Sequence, residues 1–182
     1  AGTMAAAKDE GTRFPGLIDL AAHRHGGSAL IASDEFFAEK ENLLREGRGV
    51  FLPEEYTERG KWMDGWEPRR RRAPGHDWCI VQLGIPGRVQ AVTVDTNHFL
   101  GNHPPFASLE ACHAPGATAE YLRDQVVWTP IVNELALKPG SENLASVRHR
   151  DQWTHVRLNI YPAGGVARLR VWGTAQALAE TT

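Results

Sequence analysis

From Gly60 to Gly84 the chain reads GKWMDGWEPRRRRAPGHDWCIVQLG, a stretch dense in side chains able to do chemistry. Asp64, Glu67, His76 and Asp77 are candidate general acids and bases, because Trp62, Trp66 and Trp78 crowd them and burial of that kind moves carboxyl and imidazole pKa values toward neutrality. The plainer reading of the same residues makes Asp64-Gly65 a turn and gives Asp77 an arginine partner that fixes the loop. The run Arg69 to Arg72 offers a guanidinium fork for a carboxylate or phosphate, though an extended run sends at most half of its side chains one way. Trp66 is available as a pocket wall, while the other tryptophans read as core and loop anchors.

Further along, Asp95, His98, Asn102 and His103, with Asp34, Glu35 and Glu110, have metal-ligand chemistry, and a Zn²⁺ or Mn²⁺ site can be drawn from them. No compact spacing of the His-x-x-x-His kind supports such a site, so no ligand set is assigned and the cofactor is left open. Asn159, Tyr161, Arg168 and Arg170 fall on the polar side of the last two strand-like runs, where an arginine binds an anion and an asparagine reads an amide. The alternative for them is a solvated ladder across two strands. Nucleophile-elbow, phosphate-loop and dinucleotide fingerprints are lacking.

The elements that must position these groups are strands. Asp77 to Gly84 alternates Cys79, Val81 and Leu83 with Trp78, Ile80 and Gln82 and then meets Gly-Ile-Pro-Gly, which reads as a turn before a second strand from Val89 to Thr96. Ala29 to Ala32 and Phe106 to His113 read as strands, and Gln125 to Leu137, broken by Pro130, as two short edge segments. Glu41 to Arg45 makes a short helical turn, Gly47 to Gly60 a surface excursion, Asn97 to Pro105 and Ala114 to Asp124 loops, and Asn143 to Asp151 an irregular stretch. Near the end, Val156, Leu158 and Ile160 alternate with polar neighbours, Pro162-Ala-Gly-Gly165 turns, and Ala167, Leu169 and Val171 alternate again, which predicts a β-hairpin. Short strands with Gly/Pro punctuation and no long helical period predict an all-β sandwich or jelly roll whose loops at 33–42, 60–77 and 97–104 gather at one end.

The chain has 182 residues, enough for one sizeable core, expected over residues 14–174, with 1–13 a disordered segment resembling a tag remnant and 175–182 a tail. Its 20 basic and 22 acidic residues nearly balance, so neither nucleic acid nor an anionic membrane is expected as a partner. A cytoplasmic protein with Cys79 and Cys112 as buried free thiols is the reading of its two cysteines and its lack of a leader or spanning run.

Long strings of the chain closely resemble the allantoicase family of ureide-degrading hydrolases: ASDEFF at 32–37, ENLL at 41–44, GRGVF at 47–51, KWMDGWEPRRRR at 61–72, PGHDWCIVQLG at 74–84, VDTNHFLGNHPP at 94–105 and THVRLNIYPAGGVARLRVWG at 154–173. The resemblance runs from Leu17 to Gly173 and is greatest to the N-terminal of the family's two tandem repeats, with Pro68 where a threonine is usual and Ala163 where an aspartate is usual. It implies a galactose-binding-like (discoidin-like) jelly-roll β-sandwich and hydrolysis of allantoate to ureidoglycolate and urea. A noncatalytic ligand- or carbohydrate-binding domain, or an isolated half of a two-repeat enzyme, is the rival. Under the family reading Arg70 or Arg168 holds the substrate carboxylate, Asn102 and Asn159 read ureido groups, and Glu67, His76 and Asp77 supply the acid and base, with Asp64, Trp66, Asp95, His98 and Arg170 around them. A single repeat implies assembly of copies, a homo-oligomer, and a divalent ion such as Mn²⁺ is admissible without support from spacing.

Overall fold

The computed structural model describes residues 14–176, so the segment 1–13 and residues 177–182 lie outside it. Its strands are β1 (Ile18–Asp19), β2 (Ser28–Ala32), β3 (Tyr56–Thr57), β4 (Gly60–Lys61), β5 (Asp77–Asp95), β6 (Phe106–Cys112), β7 (Thr129–Ala136), β8 (Glu142–Ser146), β9 (Trp153–Tyr161) and β10 (Arg168–Ala175), with one helix, α1 (Ala119–Asp124). Two 3-10 turns, His23–His25 and Lys40–Leu44, complete it.

One strand organises the sheet. The first part of β5 pairs with β2 and β9, its last part pairs with β10 and β8, and all of these pairings are antiparallel. The front layer is therefore β2, β5, β9, β6, β7 and the back layer β1, β10, β5, β8. The inward side chains follow the period of two: Cys79, Val81, Val156, Leu158, Ile160 and Leu109 from the front meet Val92, Val94, Leu169 and Val171 from the back in one apolar cluster. This is the all-β sandwich that strand spacing and punctuation predict.

Local readings differ in five places. Gly84 to Gly87 is no turn, because the chain stays extended and carries β5 from the front layer into the back one, with a register shift between Gln82 and Gly87. The last two strands form no hairpin: β9 pairs with β5 and β6, β10 with β5 and β1, so 162–167 is an arch between layers. Within the 114–124 loop, Thr118 caps α1 by accepting the Tyr121 amide, and Leu122 is wholly buried against Ile80 and Cys112. Finally, β7 is a single strand that carries Pro130 near its start at the sheet edge, and β8 takes up the first residues, 143–146, of the stretch expected to be irregular, which stays irregular over 147–151. Cys79 and Cys112 are buried free thiols. Among the described residues no helix is long and apolar enough to cross a membrane.

Candidate active site

The alternation that sends Val156, Leu158 and Ile160 into the core turns Arg157, Asn159 and Tyr161 to the opposite face of β9. Register then places partners beside them on β6, with Ser108 opposite Asn159, Glu110 opposite Arg157 and Phe106 opposite Tyr161. His76, immediately before β5, lies over the same face, its ring 4.7 Å from that of Tyr161. Asn133 and Glu134 of β7 complete the rim of a cavity of about 590 Å³, within the range of small-molecule sites.

The floor of this cavity is a chain of polar contacts. Arg157 donates from Nε to Glu110 Oε1 at 2.9 Å and places Nη2 2.8 Å from the same oxygen, while its guanidinium covers the Trp128 ring at 4.8 Å. Asn159, 3% exposed, donates from Nδ2 to Glu110 Oε1 at 2.8 Å and to Ser108 Oγ at 3.2 Å. Its Oδ1 lies 3.1 Å from His76 Nε2, and Ser108 and Tyr161 share a hydrogen bond of 2.8 Å. Among the described residues, Arg157 Nη1, Glu110 Oε2 and His76 Nδ1 have no hydrogen-bond partner, and they belong to three side chains that line the cavity. An anion-binding edge, an acceptor and a proton-transfer group thus share one floor.

The 33–42, 60–77 and 97–104 loops do gather at one end, as anticipated. Trp66 donates its indole N–H to Asp34 O at 2.8 Å, Asp34 pairs with Arg69 at 3.4 Å, and Asn102 donates to Glu67 Oε2 at 3.1 Å. Burial holds the Glu67 carboxyl above the usual carboxylate range, and the Asn102 amide offsets part of that rise. This pair sits across the 162–165 arch from the cavity, since Gly165 N donates to Asn102 O while Tyr161 opens the arch.

Most of the remaining expected site residues are used in structural ties. Asp77, 1% exposed, accepts from Ser33 Oγ at 2.8 Å and Arg71 Nη1 at 3.2 Å, which is the loop-fixing role. Asp64 meets Arg168 Nη1 at 2.9 Å and accepts the Val50 amide at 3.0 Å. Asp95 takes both ends of the Arg48 fork, at 2.8 and 3.0 Å. Arg168 and Arg170, 2% and 5% exposed, donate to the main-chain oxygens of Arg45, Gly47, Asp64 and Ala167, so neither faces an open rim. Trp66 is fully buried, His98 stacks on Phe51 at 5.4 Å, and Arg70 is exposed. Among the described residues no three His, Cys, Asp or Glu side chains converge to hold a metal.

Of the expected groups, then, the cavity holds His76, Asn159 and Tyr161, while Glu110 is a pocket carboxylate and Ser108 and Arg157 are additions. The signal for the additions was the polar phase of two neighbouring strands, Ser108 and Glu110 against Arg157 and Tyr161, legible once β6 and β9 are paired.

The allantoicase repeat profile matches residues 18–176. The chain is 48% identical over 160 residues to "Probable allantoicase 1" of Burkholderia mallei, covering 87% of this chain and 46% of that protein. It is 42% identical over 165 residues to "Probable allantoicase" of Acinetobacter baylyi, covering 91% and 48%. Among solved structures, the allantoicase of Saccharomyces cerevisiae superimposes with a TM-score of 0.72 at 37% identity, over 88% of this chain and 44% of that one. The module CBM32-3 from a family 31 glycoside hydrolase of Clostridium perfringens, at 13% identity and a TM-score of 0.59 over 91% of this chain and 98% of that one, shares the fold alone. The chain spans about half the length of the curated relatives it matches. Sequence and overall fold agree, and the chain belongs to the allantoicase family.

Proposed function

We propose that the cavity on the outer face of the front layer hydrolyses allantoate to ureidoglycolate and urea, as the names of the relatives suggest for proteins twice this length. The observation that carries the reading is the ordered floor Arg157, Glu110, Asn159, His76, which sets an anion-binding guanidinium beside an imidazole with an open nitrogen. Arg157 Nη1 takes the substrate carboxylate, and the amide, hydroxyl and carboxylate groups of Asn133, Ser108 and Glu134 meet the ureido N–H and C=O groups.

The reacting carbon of allantoate bears two ureido nitrogens. The imidazolium of His76 protonates one of them, the C–N bond breaks with its electrons on the departing urea, and the lone pair of the other nitrogen forms an acyl-iminium. Water then adds to that carbon, the C=N electrons return to nitrogen, and the proton released by the water goes back to His76. One group serves as acid and then as base, and the cycle closes without a net proton change.

The test is urea release from allantoate by the purified chain, with its solution mass measured alongside. Two assembled copies would match the doubled length of the relatives, so a mass near twice 20.1 kDa is expected, and a stable monomer would speak against that assembly. His76→Asn should lower kcat by about 10² to 10⁴. Arg157→Ala should raise KM by about 10-fold or more, the loss of a charge-assisted contact. Undiminished turnover in both folded variants would move the chemistry elsewhere; no urea from the folded parent chain would make it half of a two-sandwich catalyst.

A further inference from the structure

Resting on the reading of the cavity as the reactive site, we propose that Glu110 is a positioning residue that fixes the tautomer of His76 through Asn159, so that the neutral ring presents its lone pair at Nδ1. A primary amide has two ends that differ only in what they can do, and its neighbours decide which end points where. Glu110 Oε1, the carboxylate partner of Arg157, can only accept, and it lies 2.8 Å from one end of the Asn159 amide. That end must be the NH₂. The Asn159 carbonyl is then committed to His76 at 3.1 Å, and a carbonyl can only accept, so Nε2 must carry a proton in every charge state of the ring.

The consequence is positional. With Nε2–H permanently engaged, both proton transfers of the proposed cycle occur at Nδ1, the nitrogen without a partner among the described residues. Register holds the relay in place, since Glu110 lies opposite Arg157, Ser108 opposite Asn159, and Asn159 is 3% exposed. The charged and titratable groups around His76 come from several elements: Glu110 on β6, Arg157 and Tyr161 on β9, Glu134 on β7, and the Arg71–Asp77 pair on its own segment. Glu110 is distinguished by contacting the amide that contacts the ring.

Imidazole nitrogen NMR of the ¹⁵N-labelled chain at alkaline pH reads the tautomer directly, with the His76 signals assigned by their loss in His76→Gln. The neutral ring should be protonated at Nε2 in the parent chain. Glu110→Ala frees the Asn159 amide to turn, which should give a mixture of tautomers and lower kcat by at least about 10-fold with a smaller change in KM. Glu110→Gln, whose carbonyl can accept from Asn159 Nδ2, should restore the single tautomer and most of the turnover. A parent ring protonated at Nδ1, or an unchanged tautomer in Glu110→Ala, overturns the proposal. Because the spectrum needs no substrate, the predicted tautomers in a chain that releases no urea would uphold this inference while removing the functional reading on which its catalytic meaning rests.

Discussion

A buried guanidinium is tolerated only when its N–H groups meet oxygens, and Arg168 meets this condition with main-chain carbonyls at Gly47, Asp64 and Ala167 and the Asp64 carboxylate. Its work is to hold the 45–50 and 64–66 segments against β10. Arg168→Met should therefore cost about 3–5 kcal/mol of stability, since the Asp64 charge is left buried without its cation. A raised KM for allantoate with an unchanged denaturation midpoint would instead place Arg168 in the binding site. From sequence alone, Arg168 and Arg157 are equivalent: both sit at the polar phase of a strand. What separates them is what lies over each face, a loop that supplies carbonyls over β10 and a cavity over β9. His76 was singled out by its tryptophan neighbours and Asn159 by the polar phase of its strand, and both line the cavity. Asp64, Asp77 and Asp95 illustrate the other outcome, acids taken up by arginines, that of Asp77 only six residues away and those of Asp64 and Asp95 from distant segments.

Among the strands, β5 shows how close approach dictates residue type. A Cβ at Gly84 would lie 2.2 Å from the carbonyl oxygen of His25 and 2.5 Å from the amide nitrogen of Gly27, both main-chain atoms that cannot rotate away. Gly84→Ala should destabilise the fold by about 1–3 kcal/mol, measured by denaturant titration, and a neutral result would mean that the His23–His25 turn is free to shift. The glycine and proline here read as a turn in the sequence, and the error has a physical origin. Gly-Ile-Pro-Gly signals a departure from regular pairing, and a strand that changes layers also departs from it, at the register shift after Gln82. Alternation likewise revealed β9 and β10 as strands without revealing their partners, because the 162–167 segment is short enough for a hairpin and equally for an arch. The short α1 escaped notice since its six residues bury only Leu122.

For the molecule as a whole, acid is the informative stress. His155 is 2% exposed, meets Thr154 Oγ1 through Nδ1 at 2.7 Å, and keeps Nε2 buried without a hydrogen-bond partner among the described residues. Burial holds its pKa below the ordinary histidine value, so the unfolded chain binds a proton that the folded chain refuses. Stability from this source is complete above the unfolded pKa and falls as pH drops from there toward the folded one, by at most about 1.4 kcal/mol per pH unit. Denaturation midpoints should fall between about pH 7 and 5 in the parent chain and fall less in His155→Gln; equal slopes would refute the assignment. The passage of β5 through both layers bears on motion as well. Because one continuous backbone is hydrogen-bonded into each sheet, the layers cannot part like the halves of a clamshell without breaking that strand's ladders. Amides at the two ends of β5 should accordingly exchange with deuterium as a single cooperative unit.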